Sequence, residues 1–154
     1  MIRAVGKDEI RRIETLIGNT LLLSNTGSYR IDEVRSLVQT YSEASVAAMT
    51  RSSFARVHLT GERIDGFVCL EGETLQALFV TPDMQGRGIG RILVSIAEDF
   101  VVERGYEHLR VPASLTAADF YEHIGFVRQG PGRTAGGVRV VWMIKPLRSH
   151  SQYG

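Results

Sequence analysis

The hydrophobic pattern divides the chain into a helical first third and a strand-rich remainder. Ile10, Ile13, Leu16 and Ile17 fall on one face of a 3.6-residue repeat and predict a first helix that stops at Gly18. Ile31, Val34, Leu37, Val38 and Tyr41 predict a second, and SEASVAAMTR a short third. From Phe54 the period drops to two: Ala55, Val57 and Leu59 alternate with Phe54, Arg56 and His58. Gly61-Glu62 and Gly72-Glu73 punctuate three such runs, FARVHLT, IDGFVCLE and TLQALFV. Turns that short predict an antiparallel meander, with IRAV at the N-terminus as an additional strand.

Helical spacing then returns. Ile89, Ile92, Leu93, Ile96, Ala97, Phe100 and Val101 predict a long helix closed by Gly105. HLRVPA reads as a strand. Ala117, Phe120 and Ile124 form the apolar stripe of a short helix ending at Gly125. GFVRQ and VRVVWMIK read as two final strands around a loop, GPGRTAGG. The passage from Val80 through the long helix to Leu109 is a crossover, so those two strands should run parallel. The expected class is α/β (α+β): a mixed, mostly antiparallel, twisted sheet of about seven strands with helices on both faces. Residues 1–147 are expected to form one domain, and 148–154 a polar tail.

Composition narrows the function classes. The chain has 154 residues, 44% hydrophobic and 23% charged, as in an ordinary globular domain. A net charge of +1 argues against nucleic-acid binding by bulk electrostatics. No apolar run is long enough for a membrane span, and the N-terminus lacks a signal-peptide core, so a cytoplasmic location is expected. The single cysteine, Cys69 in GFVCLEG, reads as a small core residue. His108, His123 and His150 lack ligand spacing, so no metal site is expected.

The stretch TPDMQGRGIGRIL concentrates the candidate chemistry. Gly86, Gly88 and Gly90 stand at alternate positions where the long helix begins. Helix N-termini present unpaired N–H groups and positive potential, and glycines let an anion approach them. Arg87 and Arg91 add charge. The same glycines could equally serve tight packing of the helix on the sheet. G-x-G-x-G is not the dinucleotide fingerprint G-x-G-x-x-G, and no G-K-[ST] follows to make a P-loop, which leaves a pyrophosphate of another kind.

LQALFVTPDMQGRGIGRILV resembles the central motif of the GNAT superfamily of acyl-CoA N-acyltransferases, Q/R-x-x-G-x-G/A, carried here by Gln85, Gly88 and Gly90. SLTAADFYEHIGF is similar to that family's A-x-x-F-Y-x-x-x-G-F segment. The resemblance covers Phe54 to Lys145; the first fifty residues match only in pattern. It implies acetyl-CoA as cosubstrate, with its pyrophosphate on Gln85, Gly86, Arg87, Gly88, Ile89, Gly90 and Arg91. The pantetheine arm would lie along Leu78, Phe79 and Val80, on a fourth strand that carries a bulge and splays from the fifth. A backbone N–H near Phe79 or Val80 would polarise the thioester carbonyl. Tyr121, one residue past a buried Phe120 and so at the edge of the core, would protonate the departing thiolate. Ser114 stands where relatives place a CoA-binding Asn. It could bind the arm or cap the following helix, with Thr116 a rival cap.

The implied activity is acetyl transfer to a primary amine of a small molecule, amino acid or peptide by direct attack in a ternary complex. A non-catalytic acyl-CoA-binding module of the same fold is the alternative. The position where some relatives carry a basic Glu is Thr74 here. Glu73 is carried forward as candidate base beside Glu71, His58 and a water relay. Tyr29, Arg30 and Arg133 are candidate acceptor-binding residues. Relatives are often homodimers, and Trp142 could be an interface or a core residue.

Overall fold

The computed structural model describes residues 1–25 and 27–148. Residue 26 and residues 149–154, most of the expected polar tail with His150, lie outside the described residues. The elements run β1 (Ile2–Ala4), α1 (Ile10–Ser24), α2 (Ile31–Thr40), α3 (Glu43–Thr50), β2 (Phe54–Thr60), β3 (Arg63–Glu71) and β4 (Thr74–Val80). After a 3-10 turn (Pro82–Met84) come α4 (Ile89–Glu103), β5 (His108–Ser114), α5 (Ala118–His123), β6 (Val127–Arg133) and β7 (Arg139–Pro146). Seven strands form one sheet in the order β1-β2-β3-β4-β5-β7-β6. Every neighbouring pair is antiparallel except β4 and β5, which are parallel as the crossover requires.

Alternation along β3 builds two cores. Phe67 and Cys69 turn to one face, beneath α1, α2 and α3, where Ile13, Ile17, Leu37 and Val46 close over them. Val68 and Leu70 turn to the other, beneath α4 and α5, with Leu93, Ala97, Leu109 and Met143. Both faces of β3 are therefore covered, which explains its nearly continuous burial. Each fully enclosed side chain of this kind, such as Leu93, contributes roughly 2 kcal/mol.

Four local expectations need correction. Gly18 does not stop α1, which continues to Ser24 because Thr20 and Leu21 prolong the buried stripe. Ile31 is 74% exposed; α2 instead turns Glu33, Val34 and Leu37 inward. β6 runs through Gly130, Pro131 and Gly132 to Arg133, so the final loop is shorter than the glycines suggested. In α5 the buried positions are Ala118 and Tyr121, whereas Ala117, Phe120 and Ile124 are only half-buried.

Gly18 sits mid-helix, with nothing within 4 Å of where a Cβ would stand. Gly18→Ala should therefore stabilise the protein by about 0.5–1 kcal/mol. Chemical denaturation measures this, and an unchanged or lowered midpoint would contradict the assignment.

Candidate active site

The site originates in a failure of sheet pairing. β4 and β5 are joined at one residue pair, Thr74 with Arg110, where the Arg110 N–H donates to the Glu73 carbonyl at 2.9 Å. Beyond it the strands diverge, as expected for strands four and five. The register of β4 against β3 slips between Cys69 and Leu70, which pair with Ala77 and Leu75. Gln76 is the extra residue, a bulge that bends β4 away from β5.

Backbone groups exposed by the divergence need partners. Gln85 Nε2 donates to the Val80 carbonyl at 2.9 Å and closes the β4 end. At the β5 end the Tyr29 hydroxyl accepts from Leu115 N–H at 2.9 Å and donates to the Arg139 carbonyl at 2.7 Å. Ladder alternation then decides which N–H groups face the gap. Thr81 N–H donates to Asp65 O, so Phe79, two residues back and opposite Phe67, also directs its backbone to β3. Leu78 and Val80 direct their N–H groups toward β5. This corrects the expectation for Phe79, whose N–H is committed to the ladder, and leaves Val80.

The gap opens into a cavity of about 790 Å³ that reaches both sides of the sheet. At one end lies the glycine loop. Gly86 and Gly88 have φ of +79° and +88°, the left-handed region that favours glycine, with nothing within 4 Å of their missing Cβ atoms. Gly88 is the N-cap of the fifteen-residue α4, and neither a capping side chain nor an acidic residue occupies that first turn. Its N–H groups are thus available to an anion. Gly90 differs: a Cβ there would stand 3.2 Å from the Phe120 ring, so it permits close approach of α5 to α4. The residues fit a pyrophosphate.

Of the expected cofactor residues, Leu78, Phe79, Val80, Gln85, Gly86, Gly88, Ile89, Gly90, Arg91 and Ser114 line the cavity, and Arg87 does not. Ser114 Oγ accepts from Ala117 N–H at 3.1 Å, the local capping alternative, whereas Thr116 donates to Asn25 Oδ1 and caps nothing.

Tyr121 is placed differently from expectation. Its ring is buried, edge-on to Phe120 and Phe126 at 5.2 Å, and Phe120 rather than Tyr121 lines the cavity. Among the described residues Thr81 Oγ1 is the one fully enclosed side-chain N or O atom without a partner. The Tyr121 hydroxyl, also unpartnered, therefore keeps access to open space. Burial, and secondarily the Tyr41 phenol, raise its pKa well above that of a free phenol, so it stays protonated.

The candidate bases are not brought to the cavity. Glu73 and Glu71 belong to the β3–β4 hairpin outside its lining. His58 bonds through Nδ1 to the buried Asp65 at 2.5 Å and also lies outside. Arg30 is directed to Asp32 at the surface, away from the cavity. Tyr29 lines it with its hydroxyl already committed, and Arg133 lines it while donating to the Gly137 carbonyl. Trp142 is neither deep core nor outer surface: it lines the cavity and packs over Gly132. Tyr41 and Gln76 are among the lining residues that the sequence pattern did not single out as site residues. Tyr41 ends the apolar stripe of α2, and its polar tip was the available signal. Gln76 becomes visible only through the bulge.

The family profile described as "Acetyltransferase (GNAT) domain" matches residues 25–147. The chain belongs to this family. It is 38% identical over 61 residues to the peptidyl-lysine N-acetyltransferase YjaB of Salmonella typhimurium, a match spanning 40% of this chain and 41% of that one. The chain thus matches about two fifths of that relative's length. Its fold is that of a GCN5-related N-acetyltransferase from Rhodopseudomonas palustris, with a TM-score of 0.90 and 22% identity over 96% of this chain and 95% of the other. PaiA N-acetyltransferase from Thermoplasma acidophilum, solved with coenzyme A, has a TM-score of 0.78 at 18% identity over 95% and 98% of the two chains. An ion pair ties α2 to β7 in this GNAT domain. Arg139 on β7 grips Glu33 on α2 at 2.9 and 3.1 Å, and its guanidinium lies 5.9 Å from the Tyr29 ring.

Arg139 holds the Glu33 carboxyl at about 2, and Arg3 does the same for Glu9. Both pKa values lie below the unfolded value, so their stabilisation is full above about pH 4.5 and is lost as pH falls toward 2. The melting temperature should decline across that window, and Glu33→Gln should flatten the decline. A scan by circular dichroism checks both; equal acid sensitivity in the variant would contradict the role of Glu33.

Proposed function

We propose that the protein transfers an acetyl group from acetyl-CoA to a primary amine, by direct attack in a ternary complex. The observation that carries this reading is the gap between β4 and β5, with a left-handed glycine loop at one end. Membership of the GNAT family and the name of the YjaB relative support it. The buried Cys69, whose thiol pKa burial pushes up to about 12, is compatible with a reducing cytoplasm.

Acetyl-CoA supplies the acetyl group as a thioester. The N-terminal amides of α4 and the loop from Gln85 to Arg91 would hold its pyrophosphate, with Arg91 as the side-chain charge at the cavity. Leu78 and Val80 would present free N–H groups to the arm and its carbonyl, in the manner of an added strand. Tyr121 would donate its hydroxyl proton to the leaving sulfur. The buried phenol stays protonated across the neutral range, so the proton is present to be given. Among the described residues no Asp or Glu lines the cavity and its histidine, His123, bonds through Nδ1 to the Asp119 carbonyl, so the proton lost by the acceptor nitrogen would leave through water.

Tyr121→Phe tests the assignment. Thiol detection of CoA release should show kcat reduced about a hundredfold, while acetyl-CoA still raises the melting temperature. An unimpaired kcat would remove Tyr121 from the mechanism. Stabilisation by acetyl-CoA without turnover of any amine by the wild-type protein would favour a non-catalytic binding module.

A further inference from the structure

The cavity continues past the gap onto the face beneath α1 and α2, where the acceptor must enter if the transferase reading holds. This compartment is walled by Tyr41 and Leu37 of α2, Gln76 and Phe79 of β4, and Trp142 of β7. Trp142 shares a face with Pro112, its partner across the β5–β7 ladder, so an apolar floor lies opposite the aromatic wall. Tyr41 stands edge-on to Phe79, at 5.2 Å and 82°, which fixes its ring.

Two properties of this compartment constrain what it can hold. First, its charge has one sign. Arg91 and Arg133 are in the lining of the cavity, and among the described residues no Asp or Glu is. Glu33, the acid that α2 turns inward, is neutralised by Arg139 and also accepts the Arg30 N–H. A second ammonium group on the acceptor would lose hydration without gaining a counter-charge. Second, several polar groups of the lining are already committed to protein partners. Tyr29 spends its hydroxyl on Leu115 and Arg139, and Asn25 spends its amide on Leu21 and Thr116. The Tyr41 hydroxyl has no partner among the described residues, and it is not a fully enclosed atom, so it faces the open cavity. It lies near the Tyr121 phenol, which registers its presence.

We propose that the acceptor is a monoamine carried on an apolar stem, with its nitrogen positioned by the Tyr41 hydroxyl, and that polycationic amines are excluded. Tyr41 accepts an N–H of the neutral amine, which orients the nitrogen lone pair into the gap. The stem packs among Leu37, Phe79 and Trp142. The N–C bond forms as the C–S bond breaks; Tyr121 protonates the sulfur, and the proton leaving nitrogen passes to water. Tyr41 is a positioning residue for the acceptor, distinct from the proton donor.

The experiment compares kcat and KM, at saturating acetyl-CoA, for phenethylamine, N-acetyl-lysine methylamide and spermidine, using wild-type protein and Tyr41→Phe. The two monoamines should exceed spermidine in kcat/KM by about tenfold or more, the scale of one uncompensated buried polar group. Tyr41→Phe keeps the ring against Phe79, so the fold should persist. It should raise the monoamine KM about tenfold with the acetyl-CoA KM unchanged, a split that a general loss of structure would not produce. Equal or better use of spermidine, or unchanged monoamine kinetics in Tyr41→Phe, would overturn this inference alone. Acetyl-CoA binding without turnover of any amine would overturn the transferase reading and this inference with it.

Discussion

Two parallel strands that pair at only one residue are the constraint on which the rest of this structure depends. A sheet left open inside a protein exposes N–H and C=O groups that are costly to leave unpaired. Here the cost is offset on each side of the gap by one side chain. Gln85 reaches back to the Val80 carbonyl, and Tyr29 bridges Leu115 and Arg139. The Gln76 bulge directs β4 away, so β5 cannot close on it without repairing the register against β3. The opening is therefore built in and leaves the N–H groups of Leu78 and Val80 for a ligand.

The loop at one end of this opening uses its glycines for two purposes. Gly86 and Gly88 adopt backbone conformations that L side chains avoid, and the space beside them is open. Gly90 brings α4 within contact of Phe120 on α5. That contact helps fix α5, on which Tyr121 is buried between Phe120 and Phe126. The glycine loop and the helix that carries Tyr121 are thus linked through a missing methyl group.

The meander, the parallel pair and the glycine loop were legible because each rests on local pattern: period-two strands, short turns and a helix-length crossover. What was not legible depends on packing. α5 carries Ala117, Phe120 and Ile124 as an apparent stripe, yet its close contact with Phe126 and α4 rotates Tyr121 inward instead. Gly18 looked like a stop because a mid-helix glycine and a terminal one are indistinguishable until the buried stripe beyond it is known. The base candidates failed for a similar reason. His58 was a candidate on its strand face, but its orientation is decided by Asp65, whose carboxylate it shares with the Thr60 hydroxyl.

The central claim is that the gap between β4 and β5 receives the acyl-CoA arm as an added strand. NMR-detected amide exchange at single residues, with and without acetyl-CoA, tests it most directly. The Leu78 and Val80 amides should exchange readily in the free protein and gain protection with acetyl-CoA, while Phe79, bonded to β3, stays protected in both states. Protection of Phe79 alone, or no change at Leu78 and Val80 when acetyl-CoA is bound, would contradict the account.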